Sequence, residues 1–227
     1  MRLVMLGSPG SGKGTQAAVL ARELSVAHIS TGEIFRQNIK DRTELGMKVK
    51  QYTETGELVP DSIVIAIVAD RLGRDDCRTA GFILDGFPRT VPQAAALDEW
   101  LEKEEMPLSR VLELRVERDI LMRRLTGRRH CAICRIDYNI VFKPPRTEGR
   151  CDKCGGALVL RADDSEESIA RRLDVDAAKT RPLHQYYEEK NLLTTVDGSK
   201  EVTAITVEIL EKLGRSVASA SAAGRAN

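Results

Sequence analysis

"MRLVMLGSPGSGKGTQAA", residues 1–18, decides how the rest of the chain is read. Arg2 to Leu6 is an apolar run of the length of a buried strand, and Lys13 to Leu24 has the spacing of a helix. Between them Gly7, Gly10, Gly12 and Gly14 let the backbone curl until its N–H groups converge on an anion, and the helix N-terminus adds its partial positive charge. Lys13 can reach terminal phosphates, and the Thr15 hydroxyl is placed for a magnesium ion or a phosphate oxygen. The generic phosphate-loop pattern has Ser or Thr directly after the lysine; here Gly14 intervenes. An incidental glycine turn would not need a strand before it and a helix after it, so the stretch is expected to hold a nucleoside triphosphate.

Outward from this loop, short apolar runs alternate with helix-period segments. Ala27–Ser30, Phe82–Leu84, Val111–Leu114 and Leu192–Val196 read as buried strands; Asp61–Leu72, Val91–Lys103, Asp119–Leu125 and Lys200–Leu213 read as helices. That alternation predicts an α/β fold, a P-loop parallel sheet flanked by helices. Two stretches break the rhythm and read as inserted arms: Ser30 to Pro60, which is helical, and Gly127 to Asp164, rich in Cys, Pro and Gly. The implied division is a core of residues 1–29, 60–126 and 165–213, arms at 30–59 and 127–164, and a disordered tail at 214–227. Asp164-x-x-Glu167 reads as a capping box opening a helix that Pro182 should bend or break.

Composition narrows the partners. The 227 residues carry a net charge of +1 and only 4% aromatics, which argues against a nucleic-acid-gripping surface. The longest wholly apolar run, Ile63 to Ala69, is too short to span a bilayer, so no membrane partner is expected. No cleavable leader is expected, since cleavage would remove the first strand, and the expected address is cytoplasmic, where paired cysteines act as metal ligands more often than as disulfides.

Three further stretches carry chemistry. "STGEIFR" (30–36) and "GELVPD" (56–61) lie in the first arm, and "LDGFPRT" (84–90) with Gln93 follows the third strand. Asp85 stands at the carboxyl end of a parallel strand beside the phosphate loop, where it can hold magnesium through water or orient Lys13. Together with "GSPGSGKGTQA", "GRR" (127–129) and "RADDSEESIARRL" (161–173), these motifs resemble adenylate kinases of the long-lid bacterial type, in order, over about residues 1 to 213. Glu33 stands where that family usually has Asp, and the Ser/Ala tail is extra.

The resemblance implies roles residue by residue. Gly10, Ser11, Gly12, Lys13, Gly14 and Thr15 would hold the ATP phosphates, Arg124 would pack near the ATP base, and Asp137, Tyr138 and Lys200 would lie on the ATP side. Thr31, Arg36, Glu57, Leu58, Val59, Gly86, Phe87, Pro88, Arg89 and Gln93 would form the AMP pocket, with Gln93 reading the adenine edge. Arg128, Arg161 and Arg172 would converge with Lys13 and Arg89 on the transferred phosphoryl group, with Arg161 and Arg172 also on the AMP side. It further implies a monomer acting on ATP, AMP and ADP with Mg²⁺. Physically, phosphoryl transfer needs cations and positioning, and arginine grips two oxygens at once. The acceptor phosphate has a second pKa of about 6 and needs no general base. His28, His130 and His184 show no triad-like or metal spacing and receive no role. Two competitors are the same chemistry on UMP, CMP or GMP, and a P-loop NTPase with a nucleic-acid-binding zinc ribbon. A protein that merely senses nucleotide would not need Arg89, Arg128, Arg161 and Arg172 together.

Cys131, Cys134, Cys151 and Cys154 form two Cys-x2-Cys pairs, the spacing of a tetrahedral structural zinc site. With all four positions supplied by protein, such a metal orders the second arm and leaves no open position for catalysis. Gly127 is expected near the hinge of that arm.

Overall fold

Five strands pair side by side, all parallel: β1 (Arg2–Leu6), β2 (Ala27–Ser30), β3 (Phe82–Asp85), β4 (Arg110–Arg115) and β8 (Leu193–Asp197), in the order β2-β3-β1-β4-β8. This computed structural model describes residues 1–55, 57–161 and 164–215. Most of the expected tail lies outside the described residues; Gly214 and Arg215 donate to Glu211 and Leu210 and close the last helix.

Both sheet faces are covered, which is why the strands are continuous apolar runs rather than alternating ones. On one face Val4, Leu6, Phe82, Leu84 and Val111 pack against α4 (Asp61–Leu72), α6 (Val91–Lys103) and α8 (Glu166–Glu189). On the other, Leu3, Met5, Ile83, Leu112 and Leu114 meet α1 (Lys13–Glu23) and α9 (Val202–Lys212). Successive β1 residues thus feed opposite cores, the period-2 geometry of a strand. A five-residue helix, α5 (Asp75–Thr79), has no counterpart in the sequence reading. It buries Cys77, whose sulfur accepts from Arg71 Nη1 at 2.9 Å.

The register sets Ser30 beside Asp85 and Met5 beside Asp85, so the functional ends of β1, β2 and β3 share the carboxyl edge of the sheet. The first arm is a helix pair, α2 (Thr31–Lys40) and α3 (Glu44–Thr55). Helix α7 (Arg118–Thr126) leads to a three-stranded antiparallel sheet, β6-β5-β7, built from β5 (Arg128–Cys131), β6 (Asp137–Asn139) and β7 (Leu158–Val159). Gly127 closes α7, and a Cβ there would come within 2.9 Å of Asn139 Oδ1.

Two local expectations are corrected. The cap of α8 is Ser165, whose side chain accepts from the Ser168 N–H, not Asp164; the Asp164 carboxylate is taken up by arginines instead. Pro182 does not break α8, which runs unbroken through it for 24 residues, with Leu183 and Tyr187 on its far side buried in the core.

Candidate active site

The phosphate loop joins β1 to α1 with Gly7, Gly10 and Gly12 all at positive φ. Gly14 answers the question raised by its position after the lysine. A Cβ on it would lie 3.1 Å from Asp85 Oδ2, so its bare backbone lets the first turn of α1 come down onto that carboxylate. The Ser11 hydroxyl is buried and has no hydrogen-bond partner among the described residues. Lys13 Nζ donates to the Ser8 carbonyl at 3.3 Å, and Ser8 Oγ donates to Asp176 Oδ2 at 2.6 Å. The Lys13 pKa is brought down to about 8, mainly by burial; Asp85 and Asp176 hold it up while Arg89 and Arg172 press it lower. Burial alone would raise the Asp85 carboxyl, but His28, Lys13 and Arg89 outweigh it and leave its pKa below the ordinary value. His28 Nε2 lies 3.9 Å from Asp85 Oδ2, too far for a hydrogen bond.

A cleft of about 380 Å³ opens at the carboxyl edge of the sheet. Lys13 and Arg89 reach it from the core, Arg36 from α2, Arg161 from the end of the second arm and Arg172 from α8. Thr31, Glu57, Leu58, Val59, Gly86, Pro88 and Gln93 also line it. Ser30 is the cap residue of α2, and Thr31 Oγ1 donates to the Gly86 carbonyl at 2.9 Å. The same carbonyl accepts from Arg89 Nε at 2.9 Å. The Phe87–Pro88 bond is cis, and Phe87 is buried in the core behind the cleft. Gln93 is almost wholly buried: Oε1 accepts from the Arg89 N–H at 2.8 Å and Nε2 donates to Asp61 Oδ1 at 2.7 Å. An amide offers two N–H groups and two lone pairs, so one of each is left over.

Other predicted residues do not line this cleft. Arg128 makes a two-pronged pair with Asp164, at 2.7 and 2.6 Å, and Arg172 Nη1 reaches the same carboxylate at 3.1 Å. Arg124 spans the phosphate loop, donating to Gly198 O at 2.9 Å and Ser11 O at 3.4 Å, with its guanidinium 5.6 Å from the Phe142 ring. Asp137 accepts from Arg161 Nη2 through both oxygens, and Lys200 pairs with Glu208. The Tyr138 side chain, expected on the ATP side, is buried within the second arm, with its oxygen 3.5 Å from Cys151 Sγ and accepting from the Asp152 N–H at 2.8 Å. Glu33 lies in a separate hollow behind α2.

Sequence reasoning missed His130, Arg135, Asp176 and Lys179, all of which line the cleft. The last two were within reach. Arg172, Val175, Asp176, Lys179 and Leu183 recur at helical spacing, so the face of α8 that carries Arg172 must carry them too. His130 Nδ1 is buried without a partner among the described residues; burial first, then Arg161 and Arg135, lower its pKa.

The four cysteine sulfurs lie within 4.8 Å of one another, with Cys131–Cys154 at 3.4 Å and Cys134–Cys151 at 3.5 Å. Tetrahedral zinc–thiolate bonds of about 2.3 Å set sulfurs about 3.8 Å apart, so this donor set fits such an ion. The Cys151 thiol is lowered to about 6, chiefly by the Tyr138 hydroxyl and further by the Cys154 and Lys153 N–H groups.

A family model described as "Adenylate kinase" matches residues 5–192. Relatives carrying that name include one from Desulforudis audaxviator, 50% identical over 215 residues that cover 95% of this chain and 100% of the relative. Another, from Bacillus subtilis, is 48% identical over 94% of this chain and 98% of its own length. A third, from Methanocella arvoryzae, is 50% identical over 92% and 96%.

Proposed function

The chain belongs to the adenylate kinase family, a group of phosphotransferases acting on nucleoside monophosphates, and from that membership we propose the reaction ATP + AMP = 2 ADP. One observation carries the reading to the residues: five cations from separate pieces of chain, Lys13, Arg36, Arg89, Arg161 and Arg172, line a single cleft at the carboxyl edge of the sheet. Two nucleotides bring several negative charges together, and a cleft lined this way offsets their repulsion.

In this reading Gly10 to Thr15 cradle the ATP phosphates and Arg124 borders the ATP base. Asp137 and the backbone of Tyr138 lie on the ATP side with Lys200. The AMP phosphate meets Arg36 and Arg89, while Thr31, the segment 57–59 and Gly86 to Pro88 shape its pocket. The leftover N–H and lone pair of Gln93 read the adenine edge. Arg128 and Arg172 both donate to Asp164 Oδ1, so their guanidinium groups already converge on one anionic oxygen, an arrangement suited to gripping one phosphoryl group. Arg161 joins them. The acceptor phosphate is ionised at neutral pH, and no residue is assigned as a base.

Asp85 and the Thr15 hydroxyl offer the oxygen donors that Mg²⁺ prefers. Bound with ATP, Mg²⁺ neutralises phosphate charge. The cysteine cluster is proposed to hold zinc as a structural ion. A monomer in the cytoplasm completes the proposal, on the family's precedent; among the described residues no helix is long and apolar enough to cross a membrane.

The test is to incubate the protein with Mg·ATP and AMP, UMP, CMP or GMP in turn and quantify diphosphates. ADP formed with AMP alone supports the reading; ATP hydrolysis without an acceptor rejects it. The pH profile adds a sharper test. Lys13 must be protonated to hold phosphate, so kcat/KM for ATP should fall as pH rises through about 8. The stability effect has the opposite sign. Between about 8 and the ordinary lysine value the unfolded chain binds the extra proton, so the Lys13 contribution to stability improves with pH across that window.

A further inference from the structure

The two cysteine knuckles repeat one backbone pattern. In the first, the Arg135 N–H donates to the Cys131 carbonyl at 3.1 Å and the Cys131 N–H to the Ile136 carbonyl at 3.0 Å. In the second, the Gly155 N–H donates to the Cys151 carbonyl and the Cys151 N–H to the Gly156 carbonyl, both at 2.8 Å. The residue after the second cysteine is left-handed in each, with φ of 62° at Arg135 and 70° at Gly155. Glycine takes that conformation without cost, and the second knuckle has it. The first knuckle has arginine, whose Cβ makes the conformation strained.

The two knuckles also differ in what they face. Arg135 lines the cleft with Arg36, His130 and Arg161, whereas Gly155 does not line it. Arg161 has the Asp137 carboxylate as its partner, but the Arg135 guanidinium has no hydrogen bond or ion pair among the described residues. A cation kept in a strained backbone position, at the edge of a cleft and without a protein anion, is matched by an anion brought from outside. We propose that Arg135 is a further substrate-binding residue, taking phosphate oxygens of the nucleotides in the cleft, and that the first knuckle forgoes glycine to present it. The proposal rests on the phosphoryl-transfer reading above.

The metal-loaded protein and its Arg135→Gly, Arg135→Gln and Gly155→Arg variants would be titrated calorimetrically with ATP, ADP, AMP and phosphate-free adenosine, with thermal unfolding in parallel. Arg135→Gly should weaken nucleotide binding roughly fivefold to tenfold, leave adenosine binding unchanged, and hold or raise the unfolding midpoint. Arg135→Gln keeps the left-handed strain without the charge and should lose the same affinity. Gly155→Arg should lower the midpoint and leave nucleotide affinity alone. Parent-like nucleotide affinity in both position-135 variants overturns the proposal, and so does an equal loss for adenosine. If the parent itself makes no ADP from ATP and AMP, the underlying reading falls instead.

Discussion

Between Thr31 and Thr55 the buried apolar side chains include Phe35 and Val49, which belong to the same cluster as Ile29, Phe82 and Leu84 of the sheet. Between Arg128 and Arg161 they are Cys131, Tyr138 and Cys151, a cluster of its own, while Ile133, Ile140, Val141, Phe142 and Leu160 are exposed. The first arm is therefore an outgrowth of the main core and inherits its order. The second buries little apolar surface of its own, and the four sulfurs that converge in it would supply its order through the proposed metal. Two arms border one cleft, and their stabilities depend on different chemistry.

The largest predicted effect separates them directly. Replacing Cys151 and Cys154 with alanine, or removing the metal, should abolish amide-exchange protection across β5, β6 and β7 while α2 and α3 stay protected, because metal coordination is worth about 10 kcal/mol or more to such a unit. Full retention of protection in the second arm would show that its apolar contacts suffice and end the contrast. A smaller effect targets the first arm. A Cβ on Gly46 would stand 2.1 Å from the Asn38 carbonyl oxygen, so Gly46→Ala must pry α3 from α2 at a cost of about 1–3 kcal/mol. The expected reading is a raised KM for AMP with metal content unchanged; an unaltered KM would contradict it. The smallest effect is at the surface. Arg171 pairs with Glu57 at 2.8 Å with both side chains about half exposed, and Arg171→Ala should cost about 0.5 kcal/mol or less in denaturant unfolding. A loss several times larger would mean that the first arm depends on this pair as well as on its core.

The same contrast governs what could be read from sequence. β1, β2, α4 and α6 begin and end where their apolar runs do, since local pattern and buried environment agree. The phosphate loop was legible from its own residues, whereas Arg36, Arg89 and Gln93 were reached only through the family resemblance of the short motifs that follow β2 and β3. The three short strands of the second arm follow from the cysteine knuckles and long-range pairing, and no local period announces them. Asp164 shows the limit at one residue: its spacing to Glu167 reads as a cap, but Arg128 and Arg172, thirty-six and eight residues away, claim the carboxylate. Arg135 was hidden because a left-handed arginine looks like any surface charge until its φ is known.

Arg171 and Arg172 stand side by side near the start of α8 and hold different parts of the molecule. Arg171 ties the helix to Glu57 at the edge of the first arm, and Arg172 ties it to Asp164 at the root of the second, where Arg128 also lands. One helix is thus the common abutment for both arms, and in the proposed reading for both nucleotide sites. Whatever influence bound AMP exerts on ATP affinity through that abutment must return to AMP by the same factor, because such coupling is reciprocal.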